Sequence, residues 1–414
     1  STFIISVEIH TPRKSILIIL SLAQFFGLSL WFAPNAVIDQ LKNDFGLNTS
    51  DISLLSIVVT LGFVIGGLVF TIFNIPDLFK TTIFFFVSSI LAAISNLIII
   101  YSEGISFNLI LILRFSTGFF LAGIYPVGMK ITASHYKQNR GLAIGILLSA
   151  LTAGSGLPYL FRLFGSPNWR FVLLLASTLS IIGGFLVLIF IKQGPYVGKV
   201  SKFDLRAVKT IFSKKSTRLA NYGYFGHMWE LYAMWVWIPI MLSDSYSNTF
   251  ENASSNEVIT FMSIGTFMVF LGGAAANIFG GYISDRIGRT KFNIIMLSVS
   301  GLSGFVIGFV YFNPYFVLVI SLIWGVTIIP DSPQYSTMVT ELSDQSLVGS
   351  ALTIQTAIGF AITIISIKLI GYIKDIVGWE YAFMVLSVGP LLGIISMWQL
   401  RHEPDAHLIA LGKM

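Results

Sequence analysis

Blocks of roughly twenty apolar residues, one after another and almost free of charge, leave this chain few ways to fold. Each block has the length that a helix needs to cross a bilayer core of about 30 Å. Inside that core every backbone N–H and C=O must find a partner within the protein, and a helix satisfies them within one segment. The 414 residues are 55% hydrophobic and 11% charged, against roughly 25% charged in an ordinary soluble domain. The blocks fall at about 15–38, 52–74, 81–101, 107–131, 141–163 and 170–191, then at 218–242, 258–282, 291–312, 314–336, 346–373 and 380–400. They predict an all-α membrane protein of twelve transmembrane helices, with both ends of the chain on one side. The first block follows Arg13-Lys14 and is too long for the apolar core of a cleavable signal, so it reads as the first span.

Lys and Arg are distributed unevenly between alternate loops. The loops that share a side with the chain ends hold Arg13, Lys14, Lys80, Lys130, Lys137, Arg140, Arg286, Arg289, Lys291, Arg401 and Lys413, together with a basic central segment from Lys192 to Arg218. The opposite loops hold only Lys42, Arg162, Arg170, Lys368 and Lys374. Positive residues mark the cytoplasmic side, so a multi-pass protein of the cell's inner (plasma) membrane with both termini cytoplasmic is expected. The net charge of +6 is then a topology signal, and nucleic acid is not an expected partner. The absence of cysteine excludes disulfides and thiolate metal sites.

An internal repeat relates the two sets of six. Asp77 matches Asp285, Gly118 matches Gly325, Tyr125-Pro126 matches Ser332-Pro333, and Asn168-Trp169-Arg170 matches Gly378-Trp379-Glu380, at offsets of about 207–210. An ordered series of this kind indicates two pseudo-symmetric six-helix bundles, a construction found in transporters. The boundaries read as 1–191 for the first bundle, 192–217 for a cytoplasmic linker and 218–414 for the second.

The sharpest local motif is Gly281-Tyr282-Ile283-Ser284-Asp285-Arg286-Ile287-Gly288-Arg289-Thr290-Lys291 between the eighth and ninth blocks. Physically it reads as a tight turn, with Gly281 allowing close helix approach, Asp285 capping a helix or pairing with an arginine, and basic residues anchored to the inner leaflet. It resembles the G-x-x-x-D-R-x-G-R-R loop of the major facilitator superfamily. Leu113-Arg114-Phe115-Ser116-Thr117-Gly118 is similar to that family's R-x-x-x-G motif. Gly145, Gly154, Gly156 and Pro158 resemble its glycine-proline motif, without the closing glycine pair. The loop carrying Asp77 keeps the aspartate and Lys80 but lacks the glycines and arginines. The resemblance, which covers essentially the whole chain, implies a secondary transporter that works by alternating access between its halves. It also implies a conformational gate at Asp77, Gly281, Asp285, Arg286, Gly288 and Arg289.

Ionisable side chains inside spans are costly, roughly 2.5–3.5 kcal/mol each at a helix centre, and so point to function. Four stand out: Arg114, His227, Glu230 and Asp331. His227 and Glu230 are three residues apart, on one helix face, and read as a proton site in which an imidazole neighbours a desolvated carboxylate. The bland alternative is a buried polar pair that pins helix packing. Asp331 lies between Pro330 and Pro333, where an interrupted helix can line a cavity, or is merely satisfied within the kink. Arg114 would pair with a carboxylate, meet an anionic solute or form a fixed ion pair. Around these, Gln24, Trp31, Asn35, Tyr125, Trp229, Tyr232, Gln334, Tyr335 and Gln355 are substrate-cavity candidates, although such residues also serve as helix–helix contacts. Trp235 and Trp237 read as lipid-facing or interfacial.

The combined expectation is a proton-coupled secondary transporter, symporter or antiporter, for a small polar or charged organic solute. Its expected partners are that solute, protons and the lipid bilayer, and it is expected to be monomeric. One alternative is efflux of amphipathic or cationic compounds. A weaker alternative is transport of a transition metal held by His227, Met228, Glu230 and Met234. No phosphate-cradling glycine loop or nucleophile elbow is present, so neither ATP-driven pumping nor enzymatic activity is expected, and no cofactor.

Overall fold

The computed structural model describes residues 13–101, 106–136, 140–164, 168–192, 194–195, 203–204, 206–344 and 346–413. Regular structure among the described residues is helical. Spans 1 to 6 are Arg13–Ala36, Thr49–Ile72, Thr81–Ile100, Phe107–Leu121 continued by Tyr125–His135, Arg140–Phe161 and Trp169–Phe190. Spans 7 to 12 are Lys215–Thr249, Ser255–Ile287, Arg289–Val306 with a 3-10 turn to Val310, Pro314–Ile328 continued by Ser332–Leu342, Val348–Val377, and Trp379–Arg401. Eleven of these are long and apolar enough to cross a membrane by composition alone. Span 7 is the exception, because its 35 residues include His227, Glu230 and a run of tyrosines and tryptophans. The face that carries both chain ends is called here the terminal face, and the opposite one the far face.

Several helices outrun the apolar blocks that announced them. Span 7 continues to Thr249, seven residues beyond its apolar block, and span 8 begins at Ser255 under a capping box between Ser254 and Glu257. Span 1 does the reverse. It carries Pro34 and stops at Ala36, and after a turn at Val37 the chain resumes as a separate helix, Ile38–Phe45.

The repeat read from the sequence is present in the backbone. The two segments of span 4, Phe107–Leu121 and Tyr125–His135, recur in span 10 as Pro314–Ile328 and Ser332–Leu342, with every boundary displaced by 207. Each second segment has proline at one of its first two positions, where the missing N–H costs nothing, so Pro126 and Pro333 restart their helices. A tryptophan latch also repeats. The Trp169 indole N–H donates to Asp44 at 2.7 Å, and the Trp379 indole N–H donates to Asp244 at 2.9 Å. The first ties the start of span 6 to the helix Ile38–Phe45 that follows span 1, and the second ties the start of span 12 to the far end of span 7.

Gly118 shows why spans 2 and 4 need a residue without a Cβ at their crossing. A methyl there would lie 1.9 Å from the Val59 carbonyl oxygen, and at the repeat-related Gly325 it would lie 2.8 Å from that of Val269. Backbone contact of this kind is how helices associate where water provides no drive. We expect Gly118→Ala to lower the melting temperature of the purified protein by about 5 °C or more, as overpacking of a core does. Gly67→Ala, whose added methyl meets nothing within 4 Å, leaves it unchanged.

Candidate functional site

Pro34 has no N–H for the Leu30 carbonyl, and the helix end leaves further carbonyls open. Two arginines fill these places. Arg114 of span 4 donates to Leu30 O at 3.0 Å and to Trp31 O at 2.5 Å. Arg162, at the far end of span 5, donates to Ala36 O at 2.7 Å and grips both Asp39 oxygens at 2.5 and 3.0 Å. Arg114 therefore meets backbone, not a carboxylate, and it is fully buried in doing so. Charge-assisted bonds to carbonyls offset part of what its desolvation costs.

The clamped end of span 1 presents Trp31 and Phe32 to the other half. Trp31 lies 5.4 Å from Tyr232 and 6.0 Å from Phe360 between ring centres, and Phe32 lies 6.1 Å from Trp235 and 5.7 Å from Phe270. Phe63 of span 2 lies tilted against Phe360 at 4.9 Å, and Tyr159 of span 5 stacks on Phe270 at 6.2 Å. Six spans thus meet in one buried aromatic junction between the halves. Trp235, expected at the lipid or the interface, belongs to this junction. Trp237 is likewise buried, with its N–H on the Ile367 carbonyl at 2.9 Å. Toward the far face the halves also touch directly, through Thr49 Oγ1 and Asp375 Oδ1 at 3.2 Å.

Polar side chains gather on the terminal side of the junction. Gln24 donates to the Tyr125 carbonyl at 3.3 Å, and Tyr125 lies near Tyr224 and Tyr232 of the other half. Tyr224 also contacts Thr356, and Gln355 accepts from Ser336 at 3.4 Å. Gln24 Oε1 and Gln355 Nε2 are buried without a partner. Asn35 donates to Ser56 within the first half at 2.8 Å.

Two cavity candidates lie elsewhere. Trp229 turns its N–H to Val385 O at 3.0 Å, against span 12. Gln334 accepts from Ser284 at 2.8 Å and Arg289 at 2.9 Å, and so belongs to the terminal-face loop.

The ionisable cluster sits one layer behind, inside the second half. Glu230 accepts from Ser300 Oγ at 2.7 Å and from the Trp324 indole at 3.2 Å. His227 does not share its partner. Its Nδ1 lies 3.0 Å from Asp331 Oδ1, and both side chains are at most 1% exposed. Tyr335 stands next to Asp331 and Asn293. The two ring nitrogens of His227, Asp331 Oδ1, the Tyr335 hydroxyl and the Asn293 amide are buried with no aligned hydrogen bond. Asp331 reaches the cluster from the gap between the two segments of span 10. No three His, Asp or Glu side chains among the described residues converge as a metal ion would need.

At the terminal face, Arg289 joins Asp285 at 2.8 Å to Glu341 of span 10 at 3.1 Å, and Arg286 lies over the Tyr282 ring at 4.0 Å. Gly288, at φ +96°, makes the turn between spans 8 and 9. Close helix approach falls to Gly280, whose added methyl would meet Pro330 at 2.8 Å, and not to Gly281, which has open space. In the first half Asp77 pairs with Lys130 of span 4. The polarity is reversed: acid in the loop and base in the span there, base in the loop and acid in the span here.

Ser300, Trp324, Asn293 and the carbonyls met by Arg114 carry no mark in the sequence. Ser and Asn are common in spans, and a backbone acceptor has no residue signature.

The major facilitator superfamily family model matches residues 20–268 and, in a second overlapping match, 222–413. The fold is similar to that of the major facilitator superfamily proton:xylose symporter XylE bound to 6-bromo-6-deoxy-D-glucose. The TM-score is 0.69 at 14% identity, over 94% of this chain and 95% of that one. With twelve spans in two repeated sets and a family match along nearly its whole length, the chain belongs to the major facilitator superfamily of secondary transporters.

Proposed function

We propose that the protein is a proton-coupled transporter of a small polar organic solute. It works by alternating access as a monomer in the cell's plasma (inner) membrane, with the terminal face in the cytoplasm. The observation that carries this is the His227–Asp331 contact at 3.0 Å, fully enclosed and beside Glu230. A pair of buried carboxylates with an imidazole is expensive unless it holds protons or charges that balance. Unfilled donors and acceptors around it suit a few waters, which would carry protons to and from it.

The solute pathway lies between the halves, closed toward the far face by the aromatic junction. Gating falls to the loops of Asp77, Gly281, Asp285, Arg286, Gly288 and Arg289. Arg114 serves this cycle by holding span 1 and not by titrating. The halves are taken as 1–191 and 218–414, and the linker between them includes the helix Arg206–Ser213.

In proteoliposomes, one proton moved per solute across about one pH unit supports roughly tenfold accumulation. Glu230→Gln and Asp331→Asn are expected to abolish that accumulation while leaving solute exchange at equal pH intact. Undiminished accumulation in either variant removes that residue from coupling.

Rocking of the halves has its own test. A Cβ on Gly371 would lie 2.9 Å from Ser53 Oγ across the far-face contact, and the chain contains no other cysteine to interfere. The double variant Ser53→Cys/Gly371→Cys should form a disulfide on oxidation, lose transport, and regain it on reduction. Unimpaired transport by the oxidised form would exclude opening at that face.

A further inference from the structure

Among the described residues, the four ionisable groups singled out within the spans are each engaged within one half. Arg114 is engaged by the Leu30 and Trp31 carbonyls, Glu230 by Ser300 and Trp324, and His227 by Asp331. Polar groups at or beside the contact between the halves include Gln24, which holds the Tyr125 carbonyl, Tyr224, Tyr232 and Thr356, and Asn277, whose amide reaches Gly145 O at 3.4 Å and Ser149 Oγ at 3.5 Å across it. Trp31 lies 5.4 Å from Tyr232 between ring centres. None of these carries a charge.

A charged solute bound there would leave its charge unpaired in a medium of low dielectric constant, which is prohibitive without a counter-ion. A neutral solute would not. Gln24 offers an unpartnered amide oxygen and Gln355, on the adjoining helix, an unpartnered amide nitrogen, each at most 1% exposed. One is an acceptor and the other a donor, and a hydroxyl serves both. The indole and phenol rings offer flat apolar surface for the C–H face of the same molecule.

We infer that the transported solute is uncharged and hydroxyl-bearing with one apolar face, of the sugar or polyol class. The inference rests on the transporter reading above and sharpens its solute.

The test uses the purified full-length protein. Melting shifts and counterflow at equal pH on both sides are measured for D-glucose, D-xylose and sorbitol. Glucuronate and glucosamine serve as charged counterparts, and tetraphenylphosphonium represents amphipathic cations. At least one neutral compound is expected to bind and exchange, with its charged counterparts weaker by about tenfold or more. Gln24→Ala and Gln355→Ala should each weaken the neutral compound about five- to tenfold, with affinity measured below the melting temperature of each variant so that loss of stability is separated from loss of binding.

Binding of a charged counterpart or of tetraphenylphosphonium as tightly as the neutral compounds overturns the inference, and so does failure of all neutral compounds to bind. Counterflow at equal pH does not depend on a proton gradient. A protein that exchanges neutral solute but never accumulates it would therefore strike the coupling proposal alone.

Discussion

Everything at the centre of this protein depends on how span 1 ends. Pro34 breaks the helix inside the membrane and leaves carbonyl oxygens that no water can reach. A guanidinium at the same depth is equally unwelcome there. Arg114 and Arg162 bring the two liabilities together, and each offsets the other. The result is geometric. Trp31 and Phe32 are held at a fixed angle against Tyr232 and Trp235, and the far side of the boundary is closed by rings from both halves. An intramembrane arginine is easily taken for a charge that moves ions, but here its forked donors complete a backbone.

The two halves share a scaffold and divide the chemistry. Span 4 and span 10 break at positions 207 apart, and each half carries the same tryptophan–aspartate latch. In the first half the intramembrane charge is a cation spent on carbonyls. In the second it is a set of acids and an imidazole gathered from spans 7 and 10, with Ser300 of span 9 as a partner. Tyr224 lies between that set and the boundary. It stacks on His227 at 6.0 Å and lies near Tyr125 of the other half.

The sequence was most informative where the signal is a repetition or a rarity. Span number, the 207-residue offset and the paired breaks of spans 4 and 10 follow from hydropathy and from Pro126 and Pro333. His227, Glu230 and Asp331 stood out because charge is scarce in spans, and the structure does gather them in one bundle. Partners were not legible, since a helical face does not say which neighbour covers it. Trp229 and Gln334 share faces with cavity residues yet turn to Val385 and Arg289. Trp235 and Trp237 were assigned by the usual preference of tryptophan for the interface. That preference yields where a helix is enclosed by others, as span 7 is from Glu230 to Pro239. The same enclosure explains why span 7 is the least apolar of the twelve and still crosses.

Placing the acids behind a layer of tyrosines has a consequence for how a transporter of this design must work. If solute and proton shared one surface, they would interact by direct contact, and the charge of the solute would be part of the coupling. Here Gln24, Tyr125, Tyr224 and Tyr232 carry no charge while His227, Glu230 and Asp331 are enclosed, so on the proposed reading solute and proton would be sensed by different layers of the same bundle. If protons are coupled as proposed, coupling would pass through packing: the state of the His227–Asp331 pair would alter the position of Tyr224, or the reverse. Tightly packed interiors do not deform continuously and instead move between discrete arrangements. On the proposed reading, a proton in the cluster and a solute at the boundary would each favour one of these arrangements, and linkage would follow without either touching the other.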